Sequence, residues 1–351
     1  ILCLIHIVMM ISCLPSEPPE PKSVQFGFYQ GLEVGKGQTL TFDDLVSELE
    51  SKADEMLSMG ATVARIHPGS SYVSFAWNRL LTASPDDGWA LDVSSTDALF
   101  LVAYEKHIQI IASLSPDSLY ETDDYYPPED DVAYQKYVQA VVERYDGDSD
   151  FGESLGLPTP TDPRLAEALA HYKITYWQMD NEPDYRYGGR ESYYEGSVTD
   201  PFMDPAQYLK VSLLTRDAIL KADPAGRLMF GGLAYGGWGE DSEAFALQYL
   251  DDLIQANCGT FPYDDLSIHW FPRTPSLRVW EDHLREVRKR VGSAMPLWIT
   301  EASISATASI QIDPHPEVVY NSSDAHTCEM TQASFLVGFF ALFLAEGGSV
   351  C

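Results

Sequence analysis

Basic residues are scarce in this sequence. The chain has 351 residues, of which 22 are Lys or Arg and 53 are Asp or Glu, so the formal net charge is -31. A surface this acidic repels phosphate backbones, and the sequence contains no basic stripe, so we expect no nucleic-acid partner. Anionic membranes and polyanionic glycans are disfavoured for the same reason. A neutral polysaccharide is compatible with this charge.

Cysteines are also few, and their positions are Cys3, Cys13, Cys258, Cys328 and Cys351. Their spacing matches neither a zinc site nor a disulfide framework. A bridge between Cys258 and Cys328 is compatible with the count but has no other support. The sequence therefore predicts no metal site and no disulfide-stabilised scaffold.

Long apolar runs are absent as well, and the apolar segment at residues 1–13 is short for a bilayer span. It resembles the core of a secretion signal whose start is missing, since the chain begins at Ile1. Ile11-Ser12-Cys13 resembles the end of a lipoprotein signal with a lipid anchor at Cys13, although Met10 fits poorly and an ordinary cleaved signal is the alternative. We expect residues 14–23 to form a Pro/Glu-rich linker. The protein is then exported, as an extracellular, periplasmic or lipid-anchored envelope protein.

Short strand-like runs alternate with helical stretches over residues 24–351, which indicates a parallel sheet covered by helices. The predicted strands are Gln25–Gln30, Val63–His67, Ile108–Leu114, Ile174–Asp180, Arg227–Leu233, Asp265–Trp270 and Leu297–Thr300. An eighth strand could begin at Ser349. We therefore predict one α/β catalytic domain, a (β/α)8 TIM barrel truncated at its eighth strand.

Capping signals mark several predicted helices. Thr41, followed by Asp44, predicts a helix from Phe42 to Met59 that stops at Gly60. Asp204-Pro205 predicts the start of another helix, which ends near Asp223. Further helices are predicted over Val132–Tyr145, Glu243–Gln255, Ser276–Val291 and Glu329–Ala345.

Two glutamates carry the strongest functional signal. Glu182 follows the fourth predicted strand and Glu301 follows the seventh. A carboxylate at the tip of a buried strand is costly unless a site needs it, and barrel enzymes place their catalytic groups at these strand ends. Two facing carboxylates are the arrangement that cleaves a glycosidic bond. The alternative is a pair of surface carboxylates at the starts of loops.

The motifs around these glutamates resemble those of glycoside hydrolase clan A, the retaining (β/α)8 glycosidases. Asn181-Glu182-Pro183 is similar to the acid/base motif of that clan, and Ile299-Thr300-Glu301 is similar to its nucleophile strand. Tyr145-Asp146-Gly147-Asp148 upstream of Tyr176-Trp177-Gln178 looks most like family 39 and related uncharacterised bacterial proteins. The resemblance extends from about Gln25 to the end of the chain.

The resemblance implies roles for individual residues. Glu182 would be the general acid and then the general base, Glu301 would be the nucleophile, and no cofactor is expected. Asn181 would hydrogen-bond the sugar 2-hydroxyl. Arg65 would keep the nucleophile ionised, because an adjacent cation favours the charged carboxylate. His269 would contact the nucleophile.

Each of the last two roles has a structural alternative. Arg65 could belong to an ion pair that only stabilises the barrel, and His269 could be a hydrogen-bonded core histidine. Trp270 is predicted to form a wall of a sugar subsite, whereas Trp177 and Trp298 lie within strands and are predicted to be core residues.

The loop after Glu182 is rich in aromatic residues, among them Tyr185 and Tyr187. Aromatic faces stack on sugar rings, so we predict substrate contacts for both. Packing of the loop on itself is the alternative. Asp146, Asp148 and Asp150 are spaced like the start of a calcium loop, but the glycine that such a loop needs is Phe151 here, so a solvated turn is preferred.

We therefore predict a retaining β-glycosidase that cleaves a carbohydrate substrate, either a polysaccharide or its fragments. One alternative is a carbohydrate-binding surface protein on the same barrel with little or no turnover. Another is a transglycosylase. The sequence does not identify the sugar or the linkage, the mode of cleavage or the oligomeric state.

Overall fold

The computed structural model describes residues 27–29, 32, 34, 40–68, 72–83, 90–115, 130–184, 204–235, 242–270, 277–302, 310–311, 319–320 and 337–345. The predicted signal at residues 1–13, the linker at residues 14–23 and the eighth strand expected at Ser349 lie outside these ranges, as do Tyr185 and Tyr187.

Parallel strands form the wall of the molecule in two segments. The first has the order β1-β2-β5-β6-β7 and the second has the order β8-β9-β10. A parallel bridge from Met229 to Asp265 joins them. The wall strands are β1 (Gly27–Tyr29), β2 (Val63–Ile66), β5 (Gln109–Leu114), β6 (Tyr176–Met179), β7 (Arg227–Met229), β8 (Leu233–Tyr235), β9 (Leu266–Trp270) and β10 (Leu297–Ala302). Two hairpins pair β3 (Leu81–Ala83) with β4 (Ala90–Leu91), and β11 (Ile310–Gln311) with β12 (Val319–Tyr320).

Helices connect the wall strands and cover the outside of the wall, as in a (β/α)8 barrel. Their bounds are α1 (Phe42–Ser58), α2 (Trp77–Leu80), α3 (Ser94–Lys106), α4 (Asp131–Arg144), α5 (Pro163–His171), α6 (Pro205–Ala222), α7 (Ser242–Ala256) and α8 (Leu277–Val291). Residues 337–345 form a further helix. Within the described ranges, no helix is both long and apolar enough to cross a membrane.

The capping signals in the sequence act as predicted. The Thr41 hydroxyl accepts from the Asp44 backbone N–H at 3.2 Å, and the Asp44 carboxylate accepts from the Thr41 N–H at 3.3 Å. Asp204 accepts from the backbone N–H of Ala206 at 2.7 Å, just ahead of α6. These contacts satisfy donors that the first helical turn leaves without an intrahelical partner.

One predicted strand is wrong. The run Arg227–Leu233 is not continuous, because the wall breaks between β7 and β8 at residues 230–232. Gly232 has a φ of +96°, and a Cβ atom there would lie 2.2 Å from Nε2 of His269. The backbone can pass this close to the imidazole only at a glycine. Helices α2, α3 and α5 and both hairpins were not predicted.

The barrel interior changes character along the strands. Near the start of the strands it is apolar, with Val63, Ile111, Met229 and Trp298 packed together. Two residues further along β2, β5 and β10, the side chains on the same face are polar, because strand side chains alternate with a period of two. This second layer contains Arg65, Ser113, Gln178, Ser267 and Thr300, all buried.

Trp177 and Trp298 are core residues, as predicted. Trp177 is fully buried and lies edge-to-face with Phe75, with the ring centroids 6.1 Å apart. The Trp298 indole N–H donates to Asp265 at 3.0 Å. The apolar base of the barrel therefore supports the polar layer above it.

Candidate active site

Glu182 and Glu301 meet above the polar layer. Glu301 lies in β10 and pairs in register with His269 of β9, and Glu182 lies three residues after the end of β6. One oxygen of each carboxylate and one ring nitrogen of His269 all lie within 4.8 Å of one another. The side chain of Glu301 is 8% exposed and that of Glu182 is 20% exposed. The structure therefore brings together two carboxylates that are 119 positions apart in the sequence, Glu182 and Glu301.

A tight turn presents Glu182. Asp180 and Glu182 both have left-handed backbone conformations, with φ values of 58° and 49°. Such conformations are uncommon for residues other than glycine and cluster at functional sites. Two hydrogen bonds hold the turn, from the Asp180 N–H to the Leu114 carbonyl at 2.8 Å and from the Glu182 N–H to the Gly231 carbonyl at 2.9 Å.

The Tyr208 hydroxyl ties this turn to the break in the wall. It donates to the Met179 carbonyl at 2.7 Å and accepts from the Gly231 N–H at 3.2 Å. Gly231 is required here, since a Cβ atom would lie 2.3 Å from the Met179 carbonyl oxygen. Hydrogen bonds thus connect the break between β7 and β8 directly to the turn that presents Glu182.

Arg65 supplies positive charge beneath the two carboxylates. It is 3% exposed and contacts three side chains on other strands or their ends. Its Nη1 donates to Glu301, its Nε donates to Gln178, and its Nη2 donates to Asn181 at 2.7 Å. The guanidinium plane therefore links Glu301 to Asn181, the residue next to Glu182.

His269 lies between the two glutamates and is fully buried. Its Nδ1 is 2.8 Å from Glu182, its Nε2 is 2.9 Å from the Thr300 hydroxyl, and Nε2 is 3.8 Å from Glu301. The sequence predicted a contact with Glu301, whereas the hydrogen bond is to Glu182. Burial lowers the pKa of His269 to about 4, so the ring is neutral at pH 7. A neutral imidazole has one donor and one acceptor, which serve these two hydrogen bonds.

The environment of Glu182 favours its protonated form. Burial raises the pKa of Glu182 to about 7, although the positive charge of Arg65 opposes the shift. Among the described residues, the charged and titratable groups close to it are Arg65, His269 and Glu301. Glu301, by contrast, is in direct contact with the Arg65 guanidinium. Two carboxyl groups in one site thus experience different environments, which is the condition for separate acid and nucleophile roles.

Sequence reasoning gave Gln178 no role, although it is fully buried in the polar layer. Its side chain reaches Arg65, Ser113 at 3.1 Å, Ser267 at 2.8 Å and Thr300 at 3.5 Å. A signal for it was present, because an amide in the middle of an apolar strand is costly to bury unless it has partners.

The remaining predicted site residues lie apart or outside the described residues. Trp270 does not form a wall beside the glutamates. It points to the outside of the barrel, opposite to His269, and its ring packs 4.3 Å from the ring of Trp280 and 6.0 Å from that of Phe339. Strand alternation explains this placement, because neighbouring residues face opposite sides.

Within the part of the chain that the structure describes, two groups of metal-ligating side chains are close enough to hold an ion. The first is Glu182, His269 and Glu301, but the Arg65 guanidinium already neutralises Glu301 there. The second is half-buried Glu143 near the end of α4, with Asp148 and Asp150 of the exposed turn that follows. In that turn, Asp146 and Asp148 each accept from a backbone N–H two residues on, at 3.1 and 2.9 Å. These hydrogen bonds agree with the predicted solvated turn.

Comparison with known proteins gives matches at the level of structure alone. No family model and no curated protein matches this sequence. The structure is similar to a glucosidase from Croceicoccus marinus, with a TM-score of 0.57, 14% identity, and coverage of 95% of this chain and 60% of that one. It is also similar to a monomeric β-xylosidase from Caulobacter crescentus CB15, with a TM-score of 0.55, 15% identity, and coverage of 96% and 60%. A third is the GH39 enzyme from Xanthomonas axonopodis pv. citri, with a TM-score of 0.50, 14% identity, and coverage of 85% and 54%.

These similarities establish the fold. The chain has an α/β TIM-barrel architecture, as these glycosidases have, and the predicted fold class is confirmed. The chain spans about 60% of the length of the glucosidase and of the β-xylosidase that it matches.

Proposed function

We propose that this protein is a retaining β-glycosidase in which Glu182 is the acid/base and Glu301 is the nucleophile. The observation that carries the proposal is the approach of the two carboxylates to within 4.8 Å. Carboxyl groups about 5–5.5 Å apart are typical of retaining enzymes, whereas inverting enzymes need about 6.5–9.5 Å to admit a water molecule.

The two environments supply the two chemical roles. Glu182 gives its proton to the leaving oxygen as the glycosidic bond breaks, while a Glu301 oxygen attacks the anomeric carbon from the opposite face. The ester that forms is then cleaved by water, from which Glu182, now ionised, removes a proton. Each of the two displacement steps inverts the configuration of the anomeric carbon, so the two steps together retain it.

Arg65 and Asn181 support this chemistry. Arg65 pairs its positive charge with the Glu301 carboxylate and donates a hydrogen bond to it. Its hydrogen bond to the Asn181 carbonyl oxygen orients that amide beside Glu182. We propose that Asn181 hydrogen-bonds the sugar 2-hydroxyl, as the clan resemblance implies.

The substrate that we propose is a neutral β-linked saccharide. The net charge of -31 disfavours polyanionic glycans. Two of the matched proteins are named as a glucosidase and a β-xylosidase, so β-glucosides and β-xylosides are the first substrates to test. Export, with lipidation at Cys13 or an ordinary cleaved signal, is part of the same proposal.

A panel of aryl β-glycosides tests the proposal. We expect release of aglycone from at least one of them, and a loss of about 10⁴-fold or more in kcat for Glu301→Ala, since the nucleophile acts in the rate-determining chemistry. The matched control is Glu55→Ala, which removes an exposed glutamate of α1 and should leave kcat unchanged.

The outcomes separate the alternatives. Equal release by the parent and by Glu301→Ala contradicts the enzyme proposal. Saccharide binding without turnover favours the carbohydrate-binding alternative. Transfer of the glycosyl group to added sugar, with little free sugar formed, favours a transglycosylase.

A further inference from the structure

We propose that Gln178 is a positioning residue whose carboxamide holds Arg65 in the one orientation that serves Glu301 and Asn181 together. The inference rests on the function proposed above and extends it to a residue in the polar layer beneath the two glutamates. Gln178 touches neither of them.

The surroundings of Gln178 allow its amide a single orientation. The Ser267 hydroxyl donates its proton to the Phe230 carbonyl at 2.6 Å, so it can only accept from Gln178. The Phe230 carbonyl can only accept as well. Both lie next to Nε2 of Gln178, at 2.8 and 3.2 Å. The amide nitrogen must therefore point toward Ser267.

The amide oxygen consequently points toward Arg65. It accepts from Nε of Arg65 and from the Ser113 hydroxyl at 3.1 Å. Three different side chains thus hold the three guanidinium nitrogens, since Nη1 donates to Glu301 and Nη2 donates to Asn181. The guanidinium is planar, so fixing Nε on Gln178 sets the directions in which Nη1 and Nη2 point.

This chain of contacts runs from the barrel centre to the reacting groups. Hydrogen bonds to β5, to β9 and to the break between β7 and β8 hold the Gln178 side chain in place. Its amide oxygen in turn holds Nε of Arg65. Displacement of a catalytic group by about 1 Å can cost 10²-fold in rate. We therefore infer that loss of the Gln178 oxygen acts on catalysis through Arg65.

The test is a double-mutant cycle with Gln178→Met and Arg65→Lys, read by steady-state kinetics on the best aryl glycoside. We expect Gln178→Met to lower kcat by about 10²-fold and to change KM by less than about threefold. In the Arg65→Lys background, which lacks the guanidinium fork, the same change should lower kcat by less than about threefold. Gln248→Met, the same substitution at an exposed position of α7, is the matched control and should leave kcat unchanged.

A purely structural role predicts a different result, namely equal factors in both backgrounds and a kcat that follows the folded fraction. That result overturns the proposal. If Gln178→Met does not fold, Gln178→Glu keeps the shape of the side chain. Its introduced charge competes with Glu301 for Arg65, so we expect kcat to fall by about tenfold or more. A kcat within about twofold of the parent value contradicts the proposal.

A crystal structure of Gln178→Met, or of Gln178→Glu if only that variant folds, tests the inference without any activity. We expect the Arg65 contact with Asn181 or with Glu301 to be lost. If both contacts persist unchanged, Gln178 does not position Arg65. An inactive parent protein, by contrast, overturns the proposed glycosidase function and leaves this structural test to decide the role of Gln178.

Discussion

Two arginines are almost completely buried in the described structure, Arg65 at 3% exposure and Arg144 at 1%, and they are arranged differently. Arg144, at the end of α4, binds one partner with two nitrogens, donating to Asp97 at 2.7 and 2.6 Å. Its remaining nitrogen donates to backbone carbonyls, of which Pro158 at 2.9 Å is the nearer. Arg65 instead distributes its three nitrogens over three side chains, Gln178 of β6, Asn181 of the turn after β6, and Glu301 of β10.

This difference separates a stabilising ion pair from a site that can do chemistry. The pair of Arg144 and Asp97 is closed, because a third hydrogen bond to Asp97 comes from Tyr145 at 2.9 Å. Glu301, the partner of Arg65, lies beside a second carboxyl group and a neutral histidine. Burial of an ion pair is therefore no sign of function by itself. The feature that distinguishes the Arg65 site is the second carboxyl group, that of Glu182, which lies within 4.8 Å of Glu301 and His269.

The largest expected effect is on activity at the Arg65 site. Arg65→Lys keeps the charge but removes the planar fork, so it loses the simultaneous contacts with Gln178, Glu301 and Asn181. We expect kcat of the folded protein to fall by about 10³-fold, and the loss of buried hydrogen bonds to lower the unfolding free energy by about 1–3 kcal/mol. Arg144→Lys is the matched change, and it should leave kcat of the folded protein intact. A reversal of these two results would show that the roles are assigned wrongly.

The next largest expected effect is a loss of stability at the Arg144 site. Asp97→Asn leaves the buried Arg144 without its counter-charge, which costs about 3 kcal/mol of unfolding free energy. Urea denaturation measures this loss. Asp54→Asn removes the exposed partner of Lys106 and should cost less than about 1 kcal/mol. Similar losses for the two variants would contradict the account of Asp97.

The sequence indicated only one of these two arginine sites. The resemblance to clan A indicated Arg65, near the end of an apolar strand, whereas the strand-end positions alone pointed to Glu182 and Glu301. Arg144 was not distinguished, since its partner Asp97 lies on helix α3, which the sequence analysis did not predict. Contacts between distant elements depend on tertiary packing, and local patterns do not encode them.

The finer geometry of the site was also beyond the sequence. The break between β7 and β8 depends on a close approach of Gly232 to His269, and the two residues are far apart in the chain. The outward direction of Trp270 was available from strand alternation, once His269 was placed inside the barrel. The role of Gln178 could not be predicted, because its hydrogen-bond partners lie on five other strands or strand ends.

The pH dependence of activity tests the role of Glu182, the second carboxyl group at the Arg65 site. Glu182 must be protonated to act as the general acid, and burial raises its pKa to about 7. Activity on a substrate with a poor leaving group should therefore be present below pH 7 and fall about tenfold per pH unit above it. Activity measured on such a substrate from pH 5 to 9 checks this. Glu182→Gln should abolish the alkaline limb on activated aryl glycosides, and its persistence in that variant would contradict the assignment.

The smallest expected effects concern two buried tyrosine hydroxyls. Tyr208→Phe removes the link between Met179 and Gly231, and Tyr145→Phe removes hydrogen bonds to Asp97 and Thr96. Each should lower the unfolding free energy by about 1 kcal/mol. Only Tyr208→Phe should also lower kcat, by about threefold, because it loosens the turn that presents Glu182. Equal kcat values in both variants would contradict the role given to that turn.

The stereochemistry of hydrolysis tests the central claim most directly. Proton NMR can follow the first sugar released from the best aryl β-glycoside before mutarotation scrambles its anomers. Carboxyl groups as close as those of Glu182 and Glu301 predict the β-anomer as the first product. Initial formation of the α-anomer would show that a water molecule attacks directly, and it would contradict the assignment of Glu301 as the nucleophile.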